Sequence, residues 1–222
     1  MSTLRLALYS YWRSSSSWRV RIGLHLKGIA FEYRAVNLLE GEQFRPEHRA
    51  RSPLGAVPAL EVSEEGTTRQ LVQSMAILEW LEERVPVPPL LPRDPYGRAR
   101  VRALAEHVNS SIQPYQNSAP LKWLRDHEKG LEKEWVRHWL AFGLEGLERA
   151  VRDGAGRHCH GDEVTLADLY LVPQLSSARR FSVDLAPYPT LVRIEAACRE
   201  LPAFQRAEPD AQPDAPPPER RT

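Results

Sequence analysis

Apolar residues recur along this chain with two different periods, and the period changes at identifiable points. Helical spacing connects Trp18, Ile22 and Leu26, and Gly28 falls where the C-cap of that helix is expected. Further along, helical spacing connects Ile77 with Leu81. Shorter runs with alternating or continuous apolar character predict strands around these helices, at 4–9, 31–36, 57–62 and 68–72. A strand, a helix and a strand in succession favour parallel pairing, so the pattern predicts the order βαβ–ββα.

A proline-rich segment separates this α/β region from a second region of different character. Five prolines fall within residues 85–95, where neither a helix nor the interior of a sheet can continue. The last seventeen residues hold five more prolines and, with no aromatic side chain, offer little surface to bury. The predicted organisation is an α/β domain over 1–85, a linker over 86–95, an all-helical domain over 96–205 and a disordered tail over 206–222.

Helical spacing continues through the second region. Two stripes stand out, and we expect both in the core: Val101, Leu104, Val108 and Ile112, and then Trp135, Trp139 and Phe142. Thr165 and Asp168 have the spacing of a capping box, in which each side chain accepts a hydrogen bond from the other residue's backbone. This pair predicts the start of another helix, and a further helix is predicted at about 189–200.

Composition narrows the classes of function. The 222 residues include 30 basic and 29 acidic side chains, a formal net charge of +1, so nucleic acid and anionic membranes are not expected partners. The sequence has no run of about eighteen apolar residues and no basic segment followed by an apolar one, so we expect neither a membrane span nor a secretory signal. Two cysteines cannot form a disulfide framework, and they fit a reducing, cytoplasmic location.

Four consecutive serines, Ser14 to Ser17, are the first candidate for chemistry. They precede a predicted helix, and serine is a favoured N-cap residue, so capping alone would account for one of them. A helix N-terminus also attracts anions, and hydroxyl donors there can stabilise one. Residues 158–163, "HCHGDE", crowd groups that bind metals, but their spacing matches no usual zinc pattern, so no metal site is predicted.

Several motifs in this order resemble the zeta class of the glutathione transferases. They are "YSYWRSSSSWRVRIGLHLKGI", "VPALEV", "LVQSMAILEWLEE", "SSIQPYQN", "GDEVTLADLYLVPQ" and "RRFSVDLAPYPTL", and they extend over about 4–205. The resemblance implies an α/β, thioredoxin-like N-terminal domain that binds glutathione, followed by an all-α domain that contacts the substrate. It also implies a homodimer.

The same resemblance implies which residues form the site. Ser14 would activate the glutathione thiol, with Ser15 and Ser16 beside it, and Arg13 and Arg180 would hold substrate carboxylates. Ser16 departs from the family, which usually has cysteine there. The implied glutathione contacts are Ser14, Ser15, Ser16, Ser17, Trp18, Arg19, Gln43, Val57, Pro58, Gln73, Ser74, Gln113, Asn117, Ser118 and Ala119.

These residue types suit the chemistry that the resemblance implies. A thiol with a pKa of about 8.5 is mostly protonated at neutral pH, and a donating hydroxyl and a helix N-terminus both favour the thiolate. A cis Val57–Pro58 bond would expose the Val57 backbone to an extended peptide such as glutathione, although most Val-Pro pairs only begin a strand. Of Arg179 and Arg180, one is expected to be a surface charge because helical neighbours point about 100° apart.

The implied activity is glutathione-dependent cis–trans isomerisation of a dianionic maleyl keto acid, with maleylacetoacetate of aromatic amino-acid breakdown as the first choice. Maleylpyruvate of a gentisate-type pathway is the alternative, because sequences of that kind also lack the cysteine that Ser16 replaces. A general conjugating transferase would use the same thiolate, and a non-catalytic glutathione-binding module would keep only the binding residues.

Overall fold

A four-stranded mixed sheet organises the first half of the chain in the computed structural model, which describes residues 4–217. The strands are β1 (Arg5–Ser10), β2 (Glu32–Ala35), β3 (Ala59–Glu64) and β4 (Thr67–Val72). Their order in the sheet is β2-β1-β3-β4. β1 and β2 run parallel, whereas β1 with β3 and β3 with β4 run antiparallel. The predicted order βαβ–ββα and the parallel pairing of its first two strands are both confirmed.

Three helices lie between these strands or directly after them: α1 (Ser15–Leu26), α2 (Pro46–Arg49) and α3 (Ser74–Arg84). α1 is the crossover between the parallel strands, and its residues Val20, Ile22 and Leu24 are fully buried. The helix ends at Lys27, and Gly28 follows with φ +64°, a left-handed conformation that glycine adopts at low cost. The predicted helical period and its glycine stop therefore describe α1 correctly.

The proline-rich linker is anchored at both of its ends. The buried Lys27 ammonium donates to the Val85 carbonyl over 2.6 Å and to the Pro88 carbonyl over 3.0 Å, and it pairs with Glu82 over 2.7 Å. Three acceptors together hold this charge away from water. Beyond Pro88, the Leu90 carbonyl accepts a hydrogen bond of 2.9 Å from the backbone of Leu166.

The second unit, residues 89–200, contains five helices in the part of the chain that the structure describes. They are α4 (Pro95–Ser111), α5 (Ser118–His127), α6 (Leu131–Arg152), α7 (Leu166–Arg180) and α8 (Pro189–Arg199), with a 3-10 turn at Gln113–Gln116. The predicted stripe on α4 is buried in the core. Within residues 4–217, no helix combines the length and the apolar character needed to cross a bilayer.

The aromatic stripe on α6 does not lie in the core as expected. Phe142 is 64% exposed, and the Trp135 and Trp139 rings are half-buried. Trp139 stacks on Tyr115 with ring centroids 4.6 Å apart, and the Trp135 indole donates to the Tyr115 carbonyl over 3.2 Å. α6 instead buries its aliphatic face, which consists of Val136, Leu140, Leu144, Leu147 and Val151. The aromatic face supports the 3-10 turn that follows α4.

The prediction of a disordered tail at 206–222 is wrong over 206–217, and 218–222 lie outside the described residues. A short helix, α9 (Pro202–Ala207), and a 3-10 turn at Pro209–Ala211 group with the first unit rather than with the helical one, so the predicted boundary at 205 is also corrected. Phe204 and Ala207 are almost completely buried. The buried Arg21 guanidinium on α1 donates to the Ala207 carbonyl over 3.0 Å, a contact that composition could not reveal.

Candidate functional site

Ser14 is the N-cap of α1. Its hydroxyl oxygen accepts a hydrogen bond of 3.2 Å from the Ser17 backbone, and its carbonyl accepts one of 2.9 Å from Trp18. The side chain is partly exposed, and its O–H has no acceptor within residues 4–217. Capping uses a lone pair of the Ser14 oxygen, so its proton can still be donated to a ligand. Both predicted roles of Ser14 are therefore compatible.

The next three serines form the first turn of α1. Ser15 and Ser16 are partly exposed, whereas Ser17 is buried and its hydroxyl has no hydrogen-bond partner within the described chain. The first turn contains no acidic side chain, so the positive end of the helix dipole is not neutralised locally. One detail of the prediction changes. Ser17 is among the implied glutathione contacts, but its backbone N–H is donated to the Ser14 hydroxyl oxygen.

Two buried residues, Trp18 and Arg19, follow the serines in α1. Trp18 and Arg19 have almost no exposed surface, so their side chains do not face solvent. The Arg19 guanidinium donates to the Ser74 hydroxyl over 3.3 Å and so connects the beginnings of α1 and α3. Ser74 is 4% exposed and is the first residue of α3. Arg19 therefore braces one predicted glutathione-contact residue from another helix.

Gln73 has an unusual backbone conformation, with φ +71° and ψ 121°. A left-handed φ at a residue other than glycine costs roughly 1–3 kcal/mol, and such residues concentrate at functional sites. The Gln73 side chain is exposed. The Gln73 backbone carbonyl accepts the first hydrogen bond of α3, from the Ile77 N–H over 3.0 Å. Sequence alone gave no signal of this strain.

Val57 and Pro58 precede β3, and their peptide bond is cis, as expected. Within residues 4–217, neither the N–H nor the C=O of Val57 has a hydrogen-bond partner. Gln43 lies in a 3-10 turn at Glu42–Phe44 and is 7% exposed. Its amide nitrogen reaches the Leu38 carbonyl at 3.4 Å, whereas its oxygen is buried with no partner in the described chain. These are polar groups of the kind that a bound peptide satisfies.

In the second unit, Gln113 is buried in the 3-10 turn after α4, and Asn117, Ser118 and Ala119 are exposed at the start of α5. The position of these four residues depends on a pair of glutamines that was not predicted from the sequence. Gln116 and Gln174 exchange two amide hydrogen bonds, of 3.1 and 3.3 Å, and both side chains are buried. This reciprocal pair fixes the turn to α7.

The two arginines that end α7 have different environments. Arg179 makes a two-point ion pair with the buried Glu195 carboxylate, one contact being 2.6 Å long. This pairing raises the pKa of Arg179, and the Arg179 charge neutralises the Glu195 carboxylate within the fold. The Arg180 guanidinium lies 4.7 Å from the centroid of the Phe181 ring and is exposed. Glu195 on α8 therefore distinguishes the two arginines, because it pairs with Arg179 whereas Arg180 contacts the Phe181 ring.

Arg13 belongs to the first unit, next to Ser14. Its side chain is partly exposed, and its guanidinium lies 5.5 Å from the Trp12 ring centroid. A cation over an indole face is attracted by the ring, so this contact holds the Arg13 guanidinium beside Ser14. Arg13 is therefore a second cationic group suited to carboxylates.

The segment 158–163 contributes to a buried polar cluster. The His158 Nδ1 atom lies 3.4 Å from the Cys198 sulfur and 3.8 Å from an Asp168 oxygen. Asp168 already accepts hydrogen bonds from the backbones of Cys159 and Thr165 and from the Thr165 hydroxyl, so its oxygens complete the predicted capping box. Burial raises the pKa of both cysteine thiols, and the Asp168 carboxylate adds to the effect. Protonated, inaccessible thiols and an occupied carboxylate mark a structural cluster.

Comparison with known proteins agrees with this geometry. The family described as "Glutathione S-transferase, N-terminal domain" matches residues 13–84. A mouse protein named maleylacetoacetate isomerase is 46% identical over 94% of each chain. A solved structure named maleyl pyruvate isomerase, a zeta-class bacterial glutathione S-transferase, is 46% identical and covers 95% of this chain and 100% of its own, with a TM-score of 0.88.

A maleylacetoacetate isomerase from Anaeromyxobacter dehalogenans is more similar still. Its crystal structure with glutathione in the active site is 64% identical to this chain, covers 97% of it and 100% of its own length, and superposes with a TM-score of 0.92. Another crystal of that protein holds dicarboxyethyl glutathione and citrate in the active site. By these similarities over nearly its full length, the chain belongs to the glutathione S-transferase family, in the zeta class that contains the maleylacetoacetate isomerases.

Proposed function

We propose that this protein catalyses the glutathione-dependent cis–trans isomerisation of a maleyl keto acid. The observation that carries the proposal is the start of α1. There the Ser14 proton lacks an acceptor within residues 4–217, and no acidic side chain neutralises the helix dipole. Such a helix start can stabilise a thiolate, because a hydroxyl donor and the dipole both lower a thiol's pKa.

The polar groups of the first unit fit a bound glutathione. The Val57 backbone offers one donor and one acceptor to an extended peptide, and the buried Gln43 oxygen offers another acceptor. Ser74, at the N-terminus of α3 and held by Arg19, would receive the γ-glutamyl carboxylate together with Gln73. Gln113, Asn117, Ser118 and Ala119 would contribute from the second unit.

Bound glutathione would supply a thiolate that adds reversibly to the cis double bond of the maleyl group, so that the bond can rotate before the thiolate leaves. Ser14 would hold this sulfur in its ionised form, with Ser15 and Ser16 completing the turn around it. Arg13 and Arg180 would hold the two substrate carboxylates, for which guanidinium groups are suited by geometry and permanent charge. Neither arginine needs to gain or lose a proton.

Maleylacetoacetate, an intermediate of tyrosine and phenylalanine breakdown, is the substrate we favour, because the mouse and Anaeromyxobacter relatives carry that name. Maleylpyruvate is a second candidate, because Ser16 stands where the family usually has cysteine and a maleylpyruvate isomerase of Ralstonia is 46% identical. We also propose a cytoplasmic homodimer, from the family resemblance and the two unpaired cysteines.

The test is turnover of maleylacetoacetate and of maleylpyruvate, each with and without glutathione. We expect turnover only with glutathione, and a loss of about a hundredfold in kcat/KM for Arg180→Ala but not for Arg152→Ala, an exposed arginine of α6. Equal turnover without glutathione would reject the mechanism. Conjugation of halogenated acids at rates above those for both maleyl acids would favour a general transferase. Glutathione binding without any turnover would favour a binding module.

A further inference from the structure

The peptide of Trp12, two residues before Ser14, is held on both sides by side chains. Its N–H donates to the Asp214 carboxylate over 3.0 Å, and its C=O accepts from the Arg21 guanidinium over 3.0 Å. The Ser14 N–H in turn donates to the Tyr11 carbonyl over 3.0 Å. The turn that presents Ser14 is therefore fixed at its first two peptides, and one of the groups that fix it comes from the end of the chain.

Arg21 links this turn to the C-terminal segment. Its guanidinium is completely buried and donates to the Ala207 carbonyl over 3.0 Å and to the Ser10 hydroxyl over 3.1 Å. Burial lowers the pKa of Arg21 to about 10, and the charge of Asp214 opposes that decrease. A buried cation whose direct acceptors are neutral oxygens benefits from a nearby carboxylate.

Asp214 is itself held in a defined position. Its second oxygen accepts a hydrogen bond of 2.6 Å from the Tyr33 hydroxyl on β2. Two residues earlier, the Gln212 amide donates to the carbonyls of Arg206 and Glu208 over 2.9 and 2.7 Å, which closes the chain back on α9. Ala215 packs against the apolar cluster that contains Trp12 and Val57. The segment 207–215, which we name the tail strap, thus contacts two parts of the candidate site.

We propose that the tail strap is a positioning element of the glutathione site, and that Asp214 is its positioning residue. Asp214 acts through the Trp12 peptide: it fixes the turn that aims the Ser14 hydroxyl, and it does not touch the ligand. The proposal rests on the proposed use of glutathione, but it does not depend on which electrophile the thiolate attacks. It assigns a role to a segment whose composition predicts disorder.

The proposal is tested with the full chain carrying Asp214→Ala, with Asp153→Ala, an exposed aspartate at the end of α6, as the matched control. Three quantities are measured: the glutathione Kd, the pKa of the bound thiol from its thiolate absorbance, and hydrogen exchange at the Trp12 amide. For Asp214→Ala we expect an affinity about fivefold weaker, a thiol pKa higher by about half a unit and faster Trp12 exchange. Asp214→Asn keeps one oxygen for Trp12 and should restore most of the affinity.

A purely structural role would lower the melting temperature of Asp214→Ala and leave the thiol pKa and the Kd of the folded protein unchanged, and that result would overturn the proposal. If the alanine variant does not fold, Asp214→Ser is used. Its hydroxyl is too short to reach both Trp12 and Tyr33, so an unchanged thiol pKa there would also overturn it. Failure of the wild type to bind glutathione would instead reject the proposed function.

Discussion

Helices α1 and α7 begin with the same kind of chemistry and differ in how much of it the fold uses. At the start of α7, the Asp168 carboxylate lies in the first turn and accepts hydrogen bonds from the Cys159 and Thr165 backbones and from the Thr165 hydroxyl, and the whole group is buried. At the start of α1, the Ser14 side chain accepts one hydrogen bond, no carboxylate is present in the first turn, and the serine is partly exposed. One helix start is satisfied from within the protein, and at the other the N-cap serine remains partly exposed.

The difference shows how a helix N-cap that only stabilises the fold can be distinguished from a helix start that can bind an anion. A helix N-terminus leaves backbone donors unpaired, and an acidic residue in the first turn neutralises both them and the dipole. Where such a residue is present and buried, as in α7, the cap contributes to stability. Where only neutral hydroxyls are present, as in α1, the field remains available to an external anion such as a thiolate.

The largest loss of stability at either helix start is expected from Asp168→Ala. This change leaves the backbone donors of Cys159 and Thr165 buried without their acceptor, so we expect the free energy of unfolding to fall by about 3 kcal/mol. Urea denaturation followed by fluorescence measures it, with Asp153→Ala expected within about 0.5 kcal/mol of the wild type. A loss below about 1 kcal/mol would show that the α7 start does not carry the stability assigned to it.

The buried cluster at the start of α7 should also make the stability of the protein depend on pH. The pKa values of the Cys159 and Cys198 thiols are raised by burial and by the Asp168 carboxylate, so the folded protein retains both protons at a pH where the unfolded chain loses them. Their contribution is complete below the unfolded value of about 8.5 and decreases as the pH rises above it, by up to about 1.4 kcal/mol per unit for each thiol. Urea denaturation at about pH 8 and pH 10 measures this slope. A Cys159→Ala, Cys198→Ala variant with an equally steep slope would contradict the assignment.

Local patterns predicted much of the fold because each depends on residues close together in sequence. The βαβ–ββα order, the stop of α1 at Gly28 and the capping box of Thr165 with Asp168 all follow from spacing within a few residues. The serine run at the start of α1 belongs to the same class, since capping and anion binding both arise within one turn.

The features that could not be predicted from the sequence depend on contacts between residues that are far apart in the chain. Asp214 meets Trp12 across almost the entire chain, and the choice between Arg179 and Arg180 depends on Glu195. The tail was expected to be disordered because its composition is poor in apolar residues. It is nevertheless held by hydrogen bonds, from the buried Arg21 to the Ala207 carbonyl, from the Gln212 amide to the Arg206 carbonyl, and from Trp12 and Tyr33 to Asp214. Amino-acid composition indicates how much apolar surface a segment can bury. It does not indicate which hydrogen-bond donors elsewhere in the chain will contact that segment.

The most direct test of the account is the pKa of glutathione's thiol when bound to the wild type and to Ser14→Ala, with Ser110→Ala on α4 as a control hydroxyl. Titration of the thiolate absorbance should give a bound value below that of free glutathione in the wild type and in the control. In Ser14→Ala it should be higher by about one unit, which corresponds to about 1.4 kcal/mol. An unchanged pKa in Ser14→Ala, with glutathione still bound, would contradict the claim that the open start of α1 ionises the thiol.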